Sequence, residues 1–177
     1  TIIGERTTIR EFVTVNRGTK ALGETKIGSD CLLMAYVHIA HDCILGNNVI
    51  MANMATLGGH VEIGEWASLG GGVLVHQFCR IGAHAFIGGG FRVVQDVPPF
   101  ILAAGEPLCF GGTNRIGLKR RGFSMEDRQI IKNTYQTFFS SKLNRNEALQ
   151  KIKSDIKASN YKDQIFDFIR SSERGII

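Results

Sequence analysis

A six-residue period runs through the first half of this chain and constrains its fold more than any other feature. Every sixth position from Ile3 reads Ile9, Val15, Ala21, Ile27, Leu33, Ile39, Leu45, Met51, Leu57, Ile63, Leu69, Val75, Ile81, Ile87 and Val93. Ala21 alone is not Ile, Leu, Val or Met. Glycine follows the aliphatic residue at 4, 28, 46, 58, 64, 70, 82 and 88, and a smaller side chain such as Thr25, Cys31, Cys43, Ala55 or Cys79 stands two residues before it. A period of six fits neither a helix nor an alternating strand continued indefinitely. It fits a triangular coil in which each hexapeptide supplies one short strand and one corner. The long aliphatic side chain fills the interior, the small one fits near a corner, and glycine permits the turn. Three hexapeptides complete a coil, so residues eighteen apart stack at the strand spacing of about 4.8 Å. The expected fold is an all-β left-handed parallel β-helix over residues 1–97. The polar stretch from Arg17 to Lys26 departs most from the pattern and is expected to loop outward in the sixfold phase.

The remainder follows other rules. Val97-Pro98-Pro99 is expected to end the repeat, because proline removes a ladder donor. Residues 98–123 read as an irregular connector with the basic run Gly117-Leu-Lys-Arg-Arg-Gly-Phe123. Residues 124–177 read as a helical C-terminal domain. Ser124 to Asp127 resembles an N-cap with an acidic first turn, and Ile130, Ile131, Thr134, Tyr135, Phe138 and Phe139 follow at helical spacing. Asn144 to Ala158 and Tyr161 to Arg170 are two further expected helices. By itself, such a tail reads as a cap on the solenoid.

Charge separates the same two parts. Seven Lys/Arg and eight Asp/Glu lie before residue 98, against fourteen and eight after it. The net +5 is therefore a property of the tail, suited to an acidic partner, a nucleic acid or a membrane surface. No apolar stretch approaches the length of a membrane span. Cys31, Cys43 and Cys79 fall in the small inward column and read as packing residues; with Cys109 they are expected to be reduced thiols. The opening Thr-Ile-Ile-Gly has no methionine, so the chain reads as part of a longer one.

All five histidines lie in the solenoid, at 38, 41, 60, 76 and 84, outside both inward columns. Stacking by eighteen puts His41 beneath Gly59, Gly59 beneath Gln77, and Asp42 beneath His60. His41, Asp42, Gly59, His60, His76 and Gln77 are thus expected to gather within two coils. A histidine there can act as general base on a hydroxyl, while the Gly59 N–H one coil above faces a developing oxyanion. A neighbouring carboxylate or carbonyl must orient the imidazole. Asp42 is adjacent, but strand alternation leaves open which group does so. His84 stands apart and reads as structural. Zinc held by outward histidines is the rival reading. It calls for an H-x4-H pair with a distant third histidine, whereas the spacing here is H-x2-H. No metal and no cofactor are expected.

Val37-His-Ile-Ala-His-Asp-Cys43, Gly58-Gly-His60, Val75-His-Gln-Phe78 and the Leu-Lys-Arg-Arg run together resemble the acyl-ACP:UDP-N-acetylglucosamine O-acyltransferases, which begin lipid A synthesis in Gram-negative bacteria. The resemblance runs along essentially the whole chain. It implies a cytoplasmic homotrimer with active sites between subunits, acyl carrier protein and UDP-N-acetylglucosamine or a close analogue as partners, and no nucleic acid. It implies that His41 deprotonates the sugar 3-hydroxyl for attack on the acyl thioester and that Gly59 supplies the oxyanion N–H. His38, Asp42, His60, His76 and Gln77 would bind substrate. Asn114 and Arg121 would reach the nucleotide, and Lys119 and Arg120 its phosphates or the carrier protein. Gly89 falls where this family selects acyl chain length and predicts a long hydroxyacyl chain, with bulky Phe86 three positions earlier as a shortening influence. Ile116 stands where the family places an acidic nucleotide contact, which leaves open a sugar with an amino group at C3. The alternatives are the related N-acyltransferase of the same pathway and a non-catalytic hexapeptide scaffold. The family carries further coils before the position where this chain starts.

Overall fold

The computed structural model describes residues 1–139 and 143–177. Three two-residue strands form each coil. The first coils hold β1 (Ile2–Ile3), β2 (Thr8–Ile9) and β3 (Thr14–Val15), then β4 (Lys26–Ile27), β5 (Leu32–Leu33) and β6 (His38–Ile39). Next come β7 (Ile44–Leu45), β8 (Ile50–Met51) and β9 (Thr56–Leu57), then β10 (Glu62–Ile63), β11 (Ser68–Leu69) and β12 (Leu74–Val75). β13 (Arg80–Ile81), β14 (Phe86–Ile87) and β15 (Arg92–Val93) complete the set. They stack in parallel as three sheets, the faces of a triangular prism: β1-β4-β7-β10-β13, β2-β5-β8-β11-β14 and β3-β6-β9-β12-β15.

The interior column is buried from Ile27 through Val93, and Cys31, Cys43 and Cys79 lie inside beside it as free thiols. Each buried Leu, Ile or Val contributes roughly 1.5–3 kcal/mol of hydrophobic stabilisation. Ile3 and Ile9, in the first coil, remain 45% and 43% exposed. Ala21 is exposed and does not belong to the interior, because the polar stretch is an insertion. Ile2, Thr8 and Thr14 pair with Lys26, Leu32 and His38, twenty-four residues on, whereas Lys26 pairs with Ile44 at the regular eighteen. The extra residues leave the prism through a neck where a Cβ on Gly18 would lie 2.2 Å from the Glu24 nitrogen.

The corners differ from expectation in one respect. The glycines after the aliphatic residues do not make the turn. A Cβ on Gly64 would lie 2.4 Å from the Ala83 nitrogen of the next coil, so glycine there permits close stacking of coils. The left-handed backbone falls two residues later, at Asp30, Tyr36, Asp42, Asn48, Met54, His60, Trp66, Phe78 and His84, with φ between 57° and 64°. These N–H groups bond across coils, as from Asn48 to the Ser29 carbonyl at 2.9 Å.

Pro98 and Pro99 do not end the stack, and the following segment is regular. β16 (Ile101–Ala104) adds in parallel to β14, with Leu102 opposite Phe86, and β17 (Cys109–Thr113) pairs antiparallel with it. Phe100, Ile101 and Ala103 are buried, so the apolar interior continues past the prolines and holds this further rung. A short helix, α1 (Arg115–Arg120), occupies the basic run and is capped by the Asn114 side chain.

Helices α2 (Met125–Phe139), α3 (Arg145–Asp155) and α4 (Asn160–Ser171) follow. Ser124 and Asp127 bond reciprocally at the start of α2, and Asn144 and Glu147 form a capping box on α3. α3 stops at Asp155, short of the expected Ala158, because Ile156 is extended. Ile131, Leu149, Ile165 and Ile169 join the core cluster of the solenoid, and the buried Tyr135 hydroxyl donates to the Pro99 carbonyl. Among the described residues no helix is long and apolar enough to cross a membrane.

Candidate active site

The corner between β6 and β7 carries His41 and Asp42, and the next coil carries Gly59 and His60 at the equivalent positions. The His60 N–H donates to the His41 carbonyl at 3.0 Å, which fixes this alignment. With left-handed φ at Asp42 (59°), its side chain lies wholly buried beneath the inserted loop. Asp42 Oδ2 lies 2.8 Å from His41 Nδ1, so the carboxylate orients the imidazole. Thr19, on the inserted loop, donates through its hydroxyl to Oδ2 at 2.6 Å and through its N–H to Oδ1 at 2.9 Å. Burial pushes the Asp42 carboxyl up, but donors from Thr19 and His41 outweigh it and hold the group well below the usual carboxylate range. With Nδ1–H donated to Asp42, His41 Nε2 is free to accept a proton, and the His41 side chain is 43% exposed.

That nitrogen faces Gly59. A Cβ built on Gly59 would lie 2.6 Å from His41 Cε1 and 2.7 Å from Nε2, so only glycine leaves the ring its place. Among the described residues no acceptor takes the Gly59 N–H. His60 crosses His41 edge-on at 5.2 Å and stacks on Phe78 at 4.7 Å. His76 and Gln77 follow on the coil above, where His76 Nδ1 lies 3.3 Å from an Arg174 nitrogen of the C-terminal segment. A cavity of about 680 Å³ adjoins the pair, lined by Asp42, His60, Phe78, Arg80 and Arg174. His38 projects from β6, its Nδ1 2.7 Å from the Thr14 hydroxyl. Beyond it an apolar depression of about 450 Å³ lies between Tyr36, Met54, Thr56 and Leu74.

Ligating atoms of His41, Asp42 and His60 lie within 4.8 Å of one another, a span open to a cation. Asp42 Oδ2, though, already accepts two hydrogen bonds there, from Thr19 and His41.

The other expected contacts gather at a different edge of the prism. Asn114 is buried, accepts from the Gly117 N–H and donates to the His84 carbonyl. Arg121 lies over Trp66 at 5.1 Å with a nitrogen 3.4 Å from His84 Nδ1, while Lys119 and Arg120 end α1. Gly89 occupies a third edge, where a Cβ would lie 3.1 Å from the Gly71 carbonyl oxygen, and Phe86 projects from β14 on the adjoining face, partly exposed. Thr19, Arg174 and Phe78 are site neighbours that sequence reasoning passed over. Only the break in the period pointed toward Thr19.

Residues 96–177 match the family description "Udp N-acetylglucosamine O-acyltransferase; Domain 2", and residues 24–59 match the bacterial transferase hexapeptide (six repeats). An acyl-[acyl-carrier-protein]--UDP-N-acetylglucosamine O-acyltransferase from Janthinobacterium sp. (strain Marseille) is 51% identical over 99% of this chain and 69% of its own length. The chain belongs to this acyltransferase family. A family member of the same name from Halorhodospira halophila is 47% identical with the same coverage. Among solved structures, the UDP-N-acetylglucosamine acyltransferase from Bacteroides fragilis superposes with TM-score 0.94 at 38% identity, covering 99% of this chain and 80% of the other. The O-acyltransferase from Moraxella catarrhalis gives 0.95 at 38%, covering 99% and 68%. The left-handed parallel β-helix followed by helices is the shared fold.

Proposed function

We propose that this chain transfers a 3-hydroxyacyl group from acyl carrier protein to the 3-hydroxyl of UDP-N-acetylglucosamine, the opening step of lipid A synthesis, in the cytoplasm. The observation that carries the mechanism is the alignment of Asp42, His41 and Gly59. Asp42 holds Nδ1, leaving Nε2 to take the proton of the sugar hydroxyl as its oxygen attacks the thioester carbonyl. The Gly59 N–H receives the oxyanion. The proton then passes from imidazolium to the departing thiolate. His38, His60, His76 and Gln77 surround this point and position the sugar, and the apolar depression at Tyr36 and Met54 suits the acyl chain. Gly89 leaves room for a long one. Arg115, Arg128 and Lys132 line a second depression of about 650 Å³ on the helical tail, with no acidic residue among its lining, and this favours an acidic carrier protein.

Base and nucleotide contacts lie on different edges of one chain, which favours a homotrimer whose sites combine His41 of one copy with Arg121 of another. Phe12, Tyr36 and Met54, 71%, 58% and 63% exposed, offer an apolar face for that contact, so the acyl chain would run along the seam between copies. The test is a mixed oligomer. His41→Ala and Arg121→Ala are each expected to lose activity by about a hundredfold or more, measured as acylated sugar nucleotide. Mixed subunits are expected to recover part of it. No recovery would place both residues in one chain's site, and full activity of His41→Ala would remove the base assignment. Stoichiometric zinc by elemental analysis would make His41 a ligand instead.

A further inference from the structure

The one break in the hexapeptide period ends on the catalytic pair. The inserted loop closes on itself through the Gly23 N–H to the Thr19 carbonyl at 2.8 Å and the Ala21 N–H to the Thr19 hydroxyl at 3.2 Å. From that frame Thr19 donates to both oxygens of Asp42, and Thr25, at the loop's end, accepts the Asp42 N–H at 2.9 Å. We propose that Thr19 is a positioning residue for the reaction, fixing the Asp42 carboxylate so that it holds His41 in the tautomer and orientation of a general base. This rests on the reading of His41 as base.

The geometry makes the dependence specific. A carboxylate has two equivalent oxygens and a freely turning end. Asp42 meets the imidazole through Oδ2 only, at 2.8 Å. Thr19 grips Oδ1 through its N–H and Oδ2 through its hydroxyl, so the carboxylate plane cannot rotate away. A solenoid corner without the loop has no group in this place, since a regular coil turns the same corner with four residues, as from β9 to β10. The Leu22 N–H, on the same loop, also faces the carboxylate and helps to lower its pKa. The remaining polar groups are His60 Nε2 at 3.8 Å and, across the adjoining cavity, Glu62, Arg80, Asp96, Glu173 and Arg174. None of these is within hydrogen-bond distance of it.

The hydroxyl also competes with His41 for Oδ2. Without it the carboxylate is less satisfied and attracts the imidazolium more strongly, which raises the pH at which the base becomes protonated. Thr19→Val removes the hydroxyl at nearly constant volume, and Thr19→Ser keeps it. In the full-length protein, Thr19→Val is expected to lower kcat about tenfold, with KM for both substrates changed by no more than about twofold. The acidic limb of the kcat–pH profile should move to higher pH, and Thr19→Ser should restore kcat and the limb. A Thr19→Val enzyme with unchanged kcat would overturn the proposal. So would a loss of kcat that Thr19→Ser fails to restore and that leaves the limb in place, since that pattern belongs to a residue serving only the loop's own structure. His41→Ala, assayed alongside, separates the two claims: full activity there removes the base, whereas an inactive His41→Ala beside a normal Thr19→Val removes only this one.

Discussion

Glycine at 59 illustrates how a single residue can be dictated by its neighbour's chemistry. Its backbone is not left-handed, so alanine meets no conformational penalty there. The obstacle is the His41 ring, which a Cβ would approach to 2.6 Å. Gly59→Ala is therefore expected to fold with little change in Tm while losing activity by about a hundredfold, because the imidazole must move from its place against the proposed oxyanion donor. Thermal denaturation beside a steady-state assay checks it; a parallel loss of Tm would mean that the corner itself had failed. The pairing of His41 with Gly59 was legible in the sequence, because stacking by eighteen is arithmetic. The role of Asp42 was not. Strand alternation misleads at a corner, where a left-handed residue redirects the side chain, and Thr19, which holds the carboxylate, comes from an insertion without periodic pattern.

The corner is an element with its own sequence rule. Residues 6, 12, 30, 36, 42, 48, 54, 60, 66, 72, 78, 84 and 90 adopt positive φ, and none is Val, Ile or Thr. Beta-branched side chains tolerate that region worst. This column was legible but was passed over in favour of the more conspicuous glycines. Asn48 offers a test: Asn48→Val is expected to cost about 1–2 kcal/mol, whereas Asn48→Gly costs little. Urea midpoints for the two variants read the difference, and equal midpoints would remove the conformational explanation. The element after Val97 was misread for a related reason. Two prolines argue against a continuing ladder, yet Phe100 and Ile101 bury enough apolar surface to carry the chain across them into β16.

The whole molecule carries two acid-sensitive points at different edges of the prism. Burial, with Arg121 beside it, lowers His84 to about 4, while an unfolded chain takes up that proton near 6.5. Stability that depends on neutral His84 is present above pH 6.5 and is lost as pH falls toward 4. Asp42, held below the usual carboxylate range, adds stability that persists to lower pH and disappears only on further acidification. Denaturation midpoints followed from pH 7 to pH 4 should decline, and the decline should be shallower in His84→Phe, which keeps the stack on Trp66 and Phe100. An equal slope in both proteins would locate the acid sensitivity elsewhere. The triangular cross-section has a broader consequence. Within each hexapeptide the interior claims the aliphatic position and the small one before it, and the corner asks only for a side chain that accepts a left-handed backbone. The remaining surface positions stay free to vary. A lineage can rewrite its chemistry there, letter by letter, while the grammar that folds the chain goes on being spoken underneath.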